Sequence, residues 1–176
     1  MDRNKHAGLL GKAAGSVTGG ALAAACAAGG AGDIPCGGEV RDAMKTITIE
    51  AKVERLAEVL SFVGAELEAA GCPMKTQMQI EIAVEELFVN IASYAYAPGV
   101  GDAEISVCVA DGAADITFVD SGVAYDPVHR ADPNLNLTAD EREVGGLGIF
   151  MVKKTMDDMR YAYRDGKNVL TIRKKI

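Results

Sequence analysis

The chain has 176 residues, enough for one domain with a proper core, and its 18 Lys and Arg against 25 Asp and Glu leave a formal charge of −7. So acidic a chain lacks the basic surface that direct nucleic-acid binding requires. Hydrophobic residues make up 49% and aromatics 5% with no Trp, and the four cysteines (Cys26, Cys36, Cys72, Cys108) form no CxxC pair and have no histidine at metal-type spacing, which points away from a disulfide framework or zinc site and towards a soluble, aliphatic-cored protein with free thiols in a reducing cytoplasm.

Residues 7–38 hold 20 Ala or Gly in 32 positions, half of the chain's 20 glycines among them. That much glycine cannot sustain a helix, and the segment has little bulk to bury, so residues 1–43 read as a flexible leader. The stretch up to Cys26 has a faint likeness to an export signal with a lipoprotein-type cysteine. Glycines and Lys12 interrupt its apolar run, however, and Ala23 stands where a bulkier aliphatic residue is usual. No run of about 18–20 strongly apolar residues offers a membrane span.

The folded domain is expected to span residues 44–176. "MKTITIEA" alternates β-formers with polar residues and predicts a strand from Met44. Val53, Leu56, Val59, Leu60 and Val63 recur at helical spacing up to Gly71, which predicts a helix with a glycine stop. After Cys72–Pro73, the repeat Ile80, Val84, Leu87, Ile91 and Tyr94 predicts a long second helix ending at Pro98–Gly99. "AEISVCVADGAADITFVD" alternates on both sides of Asp111–Gly112, a hairpin with a turn suited to it. Pro127 to Val144 is polar and irregular, a length of loop that is usually functional or disordered. A helix follows through Met156, then a last hairpin turning at Asp165–Gly166. The order β-α-α-β-β-loop-α-β-β predicts an α+β fold, a two-layer sandwich with a mixed, mostly antiparallel sheet and the helices on one face.

Three clusters carry possible chemistry. Glu86 and Asn90 lie one turn apart on one flank of the second helix, beside the apolar seam through Leu87 and Ile91. At the border of a core, a carboxylate can serve as a general base and an amide oxygen can ligate Mg²⁺. The plainer reading is a solvated face in a Glu-rich segment. In "VDSGVAYDP", Asp120 comes directly off a strand and offers acceptors for the exocyclic amine of adenine. Gly122 has no Cβ, so a flat ring can approach the main chain. The plainer reading there is an Asp–Ser–Gly turn. Finally, Gly145, Gly146 and Gly148 crowd the start of a helix, where main-chain N–H groups and the positive helix end suit phosphate. No GK[ST] follows, so this is not a P-loop, and no strand-borne GxGxxG is present; by itself "GGLG" is also compatible with a simple turn.

In order and spacing together, "EELFVN", "DSGVAYDP" and "GGLGIFMVKKTMD" resemble the N, G1 and G2 boxes of the Bergerat ATP-binding fold (GHKL), which histidine kinases, type II topoisomerases, a heat-shock chaperone and mismatch-repair ATPases share. The closest resemblance is to the bacterial anti-sigma-factor serine/threonine kinases, over about residues 44–176. It implies ATP and Mg²⁺ as cofactors. Glu86 would take the proton of an attacking serine hydroxyl, and Asn90 would hold the Mg²⁺. Asp120 would read adenine, with Gly122 allowing close packing. Gly146 and Gly148 would contact phosphates, residues 128–144 would form the ATP lid, and Thr171 on the last strand would border the adenine pocket. Tyr94 stands where the family often has His, and the Ala/Gly leader lies outside the pattern.

The resemblance also implies partners: a sigma factor held inactive, and an anti-sigma-factor antagonist phosphorylated on serine. A homodimer is expected on the same ground. The alternative is an ATP-dependent partner-binding module without kinase activity. A detached histidine-kinase catalytic domain would need a phosphoacceptor on a dimerisation helix. Neither His6, in the leader, nor His129, in the expected lid, fits that role.

Overall fold

Alternation produces β1, Met44–Glu50, as expected. A computed structural model describes residues 44–130 and 147–176, so the leader and residues 131–146 lie outside the described residues. The first helical segment opens with a short 3₁₀ turn at Val53–Arg55 and continues as α1, Leu56–Ala69. Gly71 then takes a φ of 71°, a conformation that costs glycine nothing and ends the helix. The second helix, α2, covers Met74–Asn90. It does not run on as a regular helix to Pro98: Ile91–Ala95 widen into a single π-turn.

Both hairpins turn where expected. Asp111 (φ 53°) and Gly112 (φ 70°) join β2, Asp102–Ala110, to β3, Ala113–Asp120. Asp165 (φ 53°) and Gly166 (φ 76°) join β4, Asp158–Arg164, to β5, Lys167–Lys175. Positive φ at both central positions matches the right-handed twist of paired strands, which is why Asp–Gly is used twice. Between the hairpins lies α3, Leu147–Thr155.

Among the described residues five strands run in the order β1-β2-β3-β5-β4, and every neighbouring pair is antiparallel. The sheet is therefore wholly antiparallel, with β3 at its centre. Strand alternation sends Ile49, Ile105, Ile116, Phe118, Leu170 and Ile172 to one face, where they meet Val59, Val63 and Leu67 of α1, Ile80, Val84 and Phe88 of α2, and Ile149 and Val152 of α3. Full burial of a side chain of this size contributes about 1.5–3 kcal/mol. The result is an α+β two-layer sandwich with its helices on one face.

Register also places polar residues. Asp120 pairs with Asn168 across β3 and β5, and both share the helix-facing side with Phe118 and Leu170. Thr46, Ser106, Thr117 and Thr171 form one row across β1, β2, β3 and β5 on the opposite side. Among the described residues, no helix is long and apolar enough to cross a membrane.

Candidate functional site

The π-turn at the end of α2 shapes the site. A π-turn holds one extra residue, so side chains beyond it leave the register of the preceding helix. Tyr94, expected on the apolar stripe, is 69% exposed for this reason. The turn delivers Tyr96 to the ends of two strands. Its hydroxyl donates to the Asp102 carbonyl (2.6 Å) and accepts from the Ser121 N–H (2.8 Å). Burial pushes the Tyr96 phenol up, so it remains a donor. Gly101 lies against the ring, where a Cβ would come within 2.2 Å of it. Tyr96→Phe is expected to cost about 0.5–1.5 kcal/mol, since it removes two hydrogen bonds and leaves an exposed carbonyl and N–H to water, and to lower the midpoint of thermal unfolding by a few degrees. An unchanged midpoint would show that this tie does not hold the strand ends.

One turn before the π-turn, Glu86 and Asn90 stand half-buried on the same flank, as the helical spacing predicts. Asn90 Nδ2 donates to the Glu86 carbonyl (2.7 Å) and to Glu86 Oε1 (2.9 Å). Both amide hydrogens are thereby used, and Asn90 Oδ1 is left as an acceptor beside the carboxylate. The start of α3 packs directly onto this pair: a Cβ on Gly148 would lie 1.9 Å from the Glu86 carboxyl group. Only a bare backbone can pass there. Gly146, its expected companion, lies outside the described residues, as do residues 131–144 of the expected lid.

Asp120 sits at the end of β3, 6% exposed, on the wall of a cavity of about 390 Å³. Pockets for small molecules begin near this size. Asn90, Ile91, Tyr125, Ile149 and Leu170 contribute to the same wall, so the cavity brings the flank of α2, the start of α3 and the β3–β5 strand ends together. Asp120 Oδ1 accepts the Gly122 N–H at 2.9 Å. Gly122 is tightly placed, but against protein. Its missing Cβ would fall 2.3 Å from the Ala95 carbonyl oxygen in the π-turn, and the next residue, Val123, donates its N–H to that oxygen at 2.8 Å.

Thr171 does not reach the cavity. It lies on the far side of the sheet, hydrogen-bonded to Thr117 at 2.9 Å. Parity decides this, because side chains of a strand alternate and position 171 is out of step with Leu170 and Ile172. The polar residue of β5 that faces the cavity, beside Leu170, is Asn168, which donates to Asp120 Oδ1 at 2.8 Å. Sequence reasoning passed over Asn168, although a signal existed: it is the one polar residue in the inward-facing series 168, 170, 172.

The loop leaving β3 is organised locally. Asp126 Oδ1 accepts the Val128 N–H (2.8 Å) and the His129 N–H (3.2 Å), and Asp126 Oδ2 pairs with His129 Nδ1 at 2.7 Å. Burial acts to raise the Asp126 pKa, but the hydrogen bonds from the His129 ring and from these two amides outweigh it and hold the carboxyl below its usual range. His129 thus serves the turn. Arg130 follows on the cavity wall, its Nη1 donating to the Tyr125 hydroxyl at 2.9 Å.

These residues fit a Mg²⁺ ion that is shared with a nucleotide. Mg²⁺ takes oxygen ligands and usually combines one or two protein groups with waters and substrate phosphates. Asn90 Oδ1 supplies such a group, and among the described residues no set of three His, Cys, Asp or Glu side chains offers a protein-only cage.

Known proteins bear on this arrangement. A serine/threonine-protein kinase, BtrW, of Bordetella bronchiseptica is 29% identical over 100 residues, which cover 56% of this chain and 70% of that protein. A serine-protein kinase, RsbW, of Bacillus cereus is 25% identical over 126 residues, covering 69% of this chain and 79% of that protein. The crystal structure of the RsbU and RsbW domains of a Mycobacterium tuberculosis protein superposes with a TM-score of 0.53 at 17% identity; the match spans 75% of this chain but 32% of that one, and it supports the fold alone. The family described as the histidine kinase-like ATPase domain matches residues 49–174, a span that contains the last two residues of β1, all of β2, β3 and β4, β5 but for Lys175, and all three side-chain clusters, and the chain belongs to that family.

Proposed function

We propose that the chain is an ATP-binding anti-sigma regulatory factor with serine/threonine protein kinase activity, acting in the cytoplasm. It transfers the γ-phosphate of ATP to a serine of an anti-sigma-factor antagonist and sequesters a sigma factor, as a homodimer. The reading is supported by the names of its relatives, a serine/threonine-protein kinase and a serine-protein kinase that the matches cover over 70% and 79% of their length. The observation that carries it is the placement of the Glu86 carboxylate against Gly148 and Asn90, at the edge of a nucleotide-sized cavity.

The chemistry follows from that placement. Adenine lies in the cavity with its 6-amino group on Asp120, and the triphosphate extends towards Asn90 and the start of α3. The serine hydroxyl of the antagonist reaches Glu86, which accepts its proton as the serine oxygen forms a bond to the γ-phosphorus and the bond to the bridging oxygen breaks, releasing ADP. Asn90 would hold Mg²⁺, whose charge compensates the phosphates. Asn90 also keeps Glu86 oriented through its amide, and the main-chain N–H groups at the start of α3 face the phosphates.

Mg–ATP at 100 times its dissociation constant is expected to stabilise the fold by about 2.7 kcal/mol, a rise of several degrees in the unfolding midpoint. Mg–GTP at the same concentration is expected to give almost none. Equal shifts would remove Asp120 as the reader of the base. Incubation with labelled ATP and a serine-bearing antagonist tests transfer, and label appearing on no protein would leave a partner-binding module instead.

A further inference from the structure

Asn168 is only 5% exposed, and all four of its hydrogen-bonding capacities are used. Its Nδ2 donates to Asp120 Oδ1 (2.8 Å) and to the Val123 carbonyl (3.1 Å). Its Oδ1 accepts from the Tyr161 hydroxyl (2.7 Å) and from the Tyr125 N–H (3.1 Å). Two of these partners have no choice of role. A main-chain carbonyl can only accept and a main-chain N–H can only donate, so the amide cannot be flipped. An N–H must therefore point at Asp120.

The consequence falls on Asp120. Its Oδ1 receives the N–H groups of both Asn168 and Gly122. Among the described residues, no donor reaches its Oδ2, while the residue lines the cavity. A carboxylate gripped by one oxygen offers the other as a fixed acceptor. A carboxylate free to turn would offer its acceptors in changing directions.

We infer that Asn168 is a positioning residue that sets base selectivity: by holding Oδ1 of Asp120 it presents Oδ2 as an acceptor fixed in direction, which suits the 6-amino group of adenine and rejects a base carrying an oxygen there. The inference rests on the ATP-binding reading above and adds to it the residue through which Asp120 acts. Burial pushes the Tyr161 phenol up, so its O–H remains a donor to Asn168 and adds to the fixation.

The test separates positioning from general support of the pocket. Dissociation constants are measured for Mg–ATP and for Mg–purine riboside triphosphate, which differs only in lacking the 6-amino group. The wild type is expected to prefer ATP by about 10- to 100-fold, the worth of one hydrogen bond to a charged group. Asn168→Leu is expected to weaken ATP at least fivefold and to leave the amine-free analogue within about twofold, so that the preference collapses. Asn168→Ser, too short to span Asp120 and Val123 together, is expected to act in the same direction and serves if the leucine variant loses its cooperative unfolding transition. Folded variants that lose both ligands by the same factor, or that keep the wild-type preference, would overturn the role of Asn168 while leaving ATP binding intact. A wild type that binds neither triphosphate would overturn the nucleotide reading and this inference with it.

Discussion

Glu86→Gln is expected to leave Mg–ATP binding within about twofold and to lower phosphoryl transfer to a serine substrate by about 10²- to 10⁴-fold, the usual worth of a positioned general base. The substitution keeps the shape of the side chain against Gly148, where there is no room for extra atoms. It also keeps an oxygen to accept the Asn90 amide, now 2.9 Å from Oε1. What disappears is the capacity to take a proton from the hydroxyl. Binding measured by calorimetry and transfer measured with labelled ATP read the two effects independently. Transfer at the wild-type rate would remove Glu86 from the mechanism, and the Asn90 contact would then have to be explained as helix-surface chemistry alone.

Gly122→Ala is expected to destabilise the fold by at least about 1–3 kcal/mol, the range for forcing a methyl into a filled space. ATP binding should fall at least tenfold with it. The atoms in the way belong to main chain and to the adjacent Cβ, with the Ala95 carbonyl oxygen at 2.3 Å, its carbon at 2.6 Å and the Ala95 Cβ at 2.6 Å. None can rotate aside. The loop would have to lift from the π-turn, breaking the 2.8 Å bond from Val123 N–H to Ala95. The Gly122 N–H that holds Asp120 Oδ1 would move with it. Denaturant unfolding and nucleotide titration of the same variant check both halves. Wild-type stability together with wild-type affinity would mean that the loop has slack the packing denies.

The two predictions differ in what made them available. Glu86 and Asn90 share a flank because residues four apart in a helix always do, and the backbone hydrogen bonds that enforce this are local. The need for glycine at 122 was also visible, but its cause was not. The resemblance implied room for a flat ring; the structure shows that the space beside Gly122 is taken by Ala95. That neighbour is far away in sequence and arrives only because α2 ends in a π-turn.

By itself the sequence determined the elements, their order, both Asp–Gly turns and the shared flank of Glu86 and Asn90. Each of these depends on a short-range periodicity or on a turn of a few residues. Tertiary structure alone decided the π-turn that turns Tyr94 outward, the pairing of β5 with β3 that puts Asn168 rather than Thr171 beside Asp120, and the closure of Gly148 onto Glu86. The physical reason is the same in each case. A strand's two faces are equivalent until a core claims one of them, and a helix end is regular until a neighbouring strand demands a different exit.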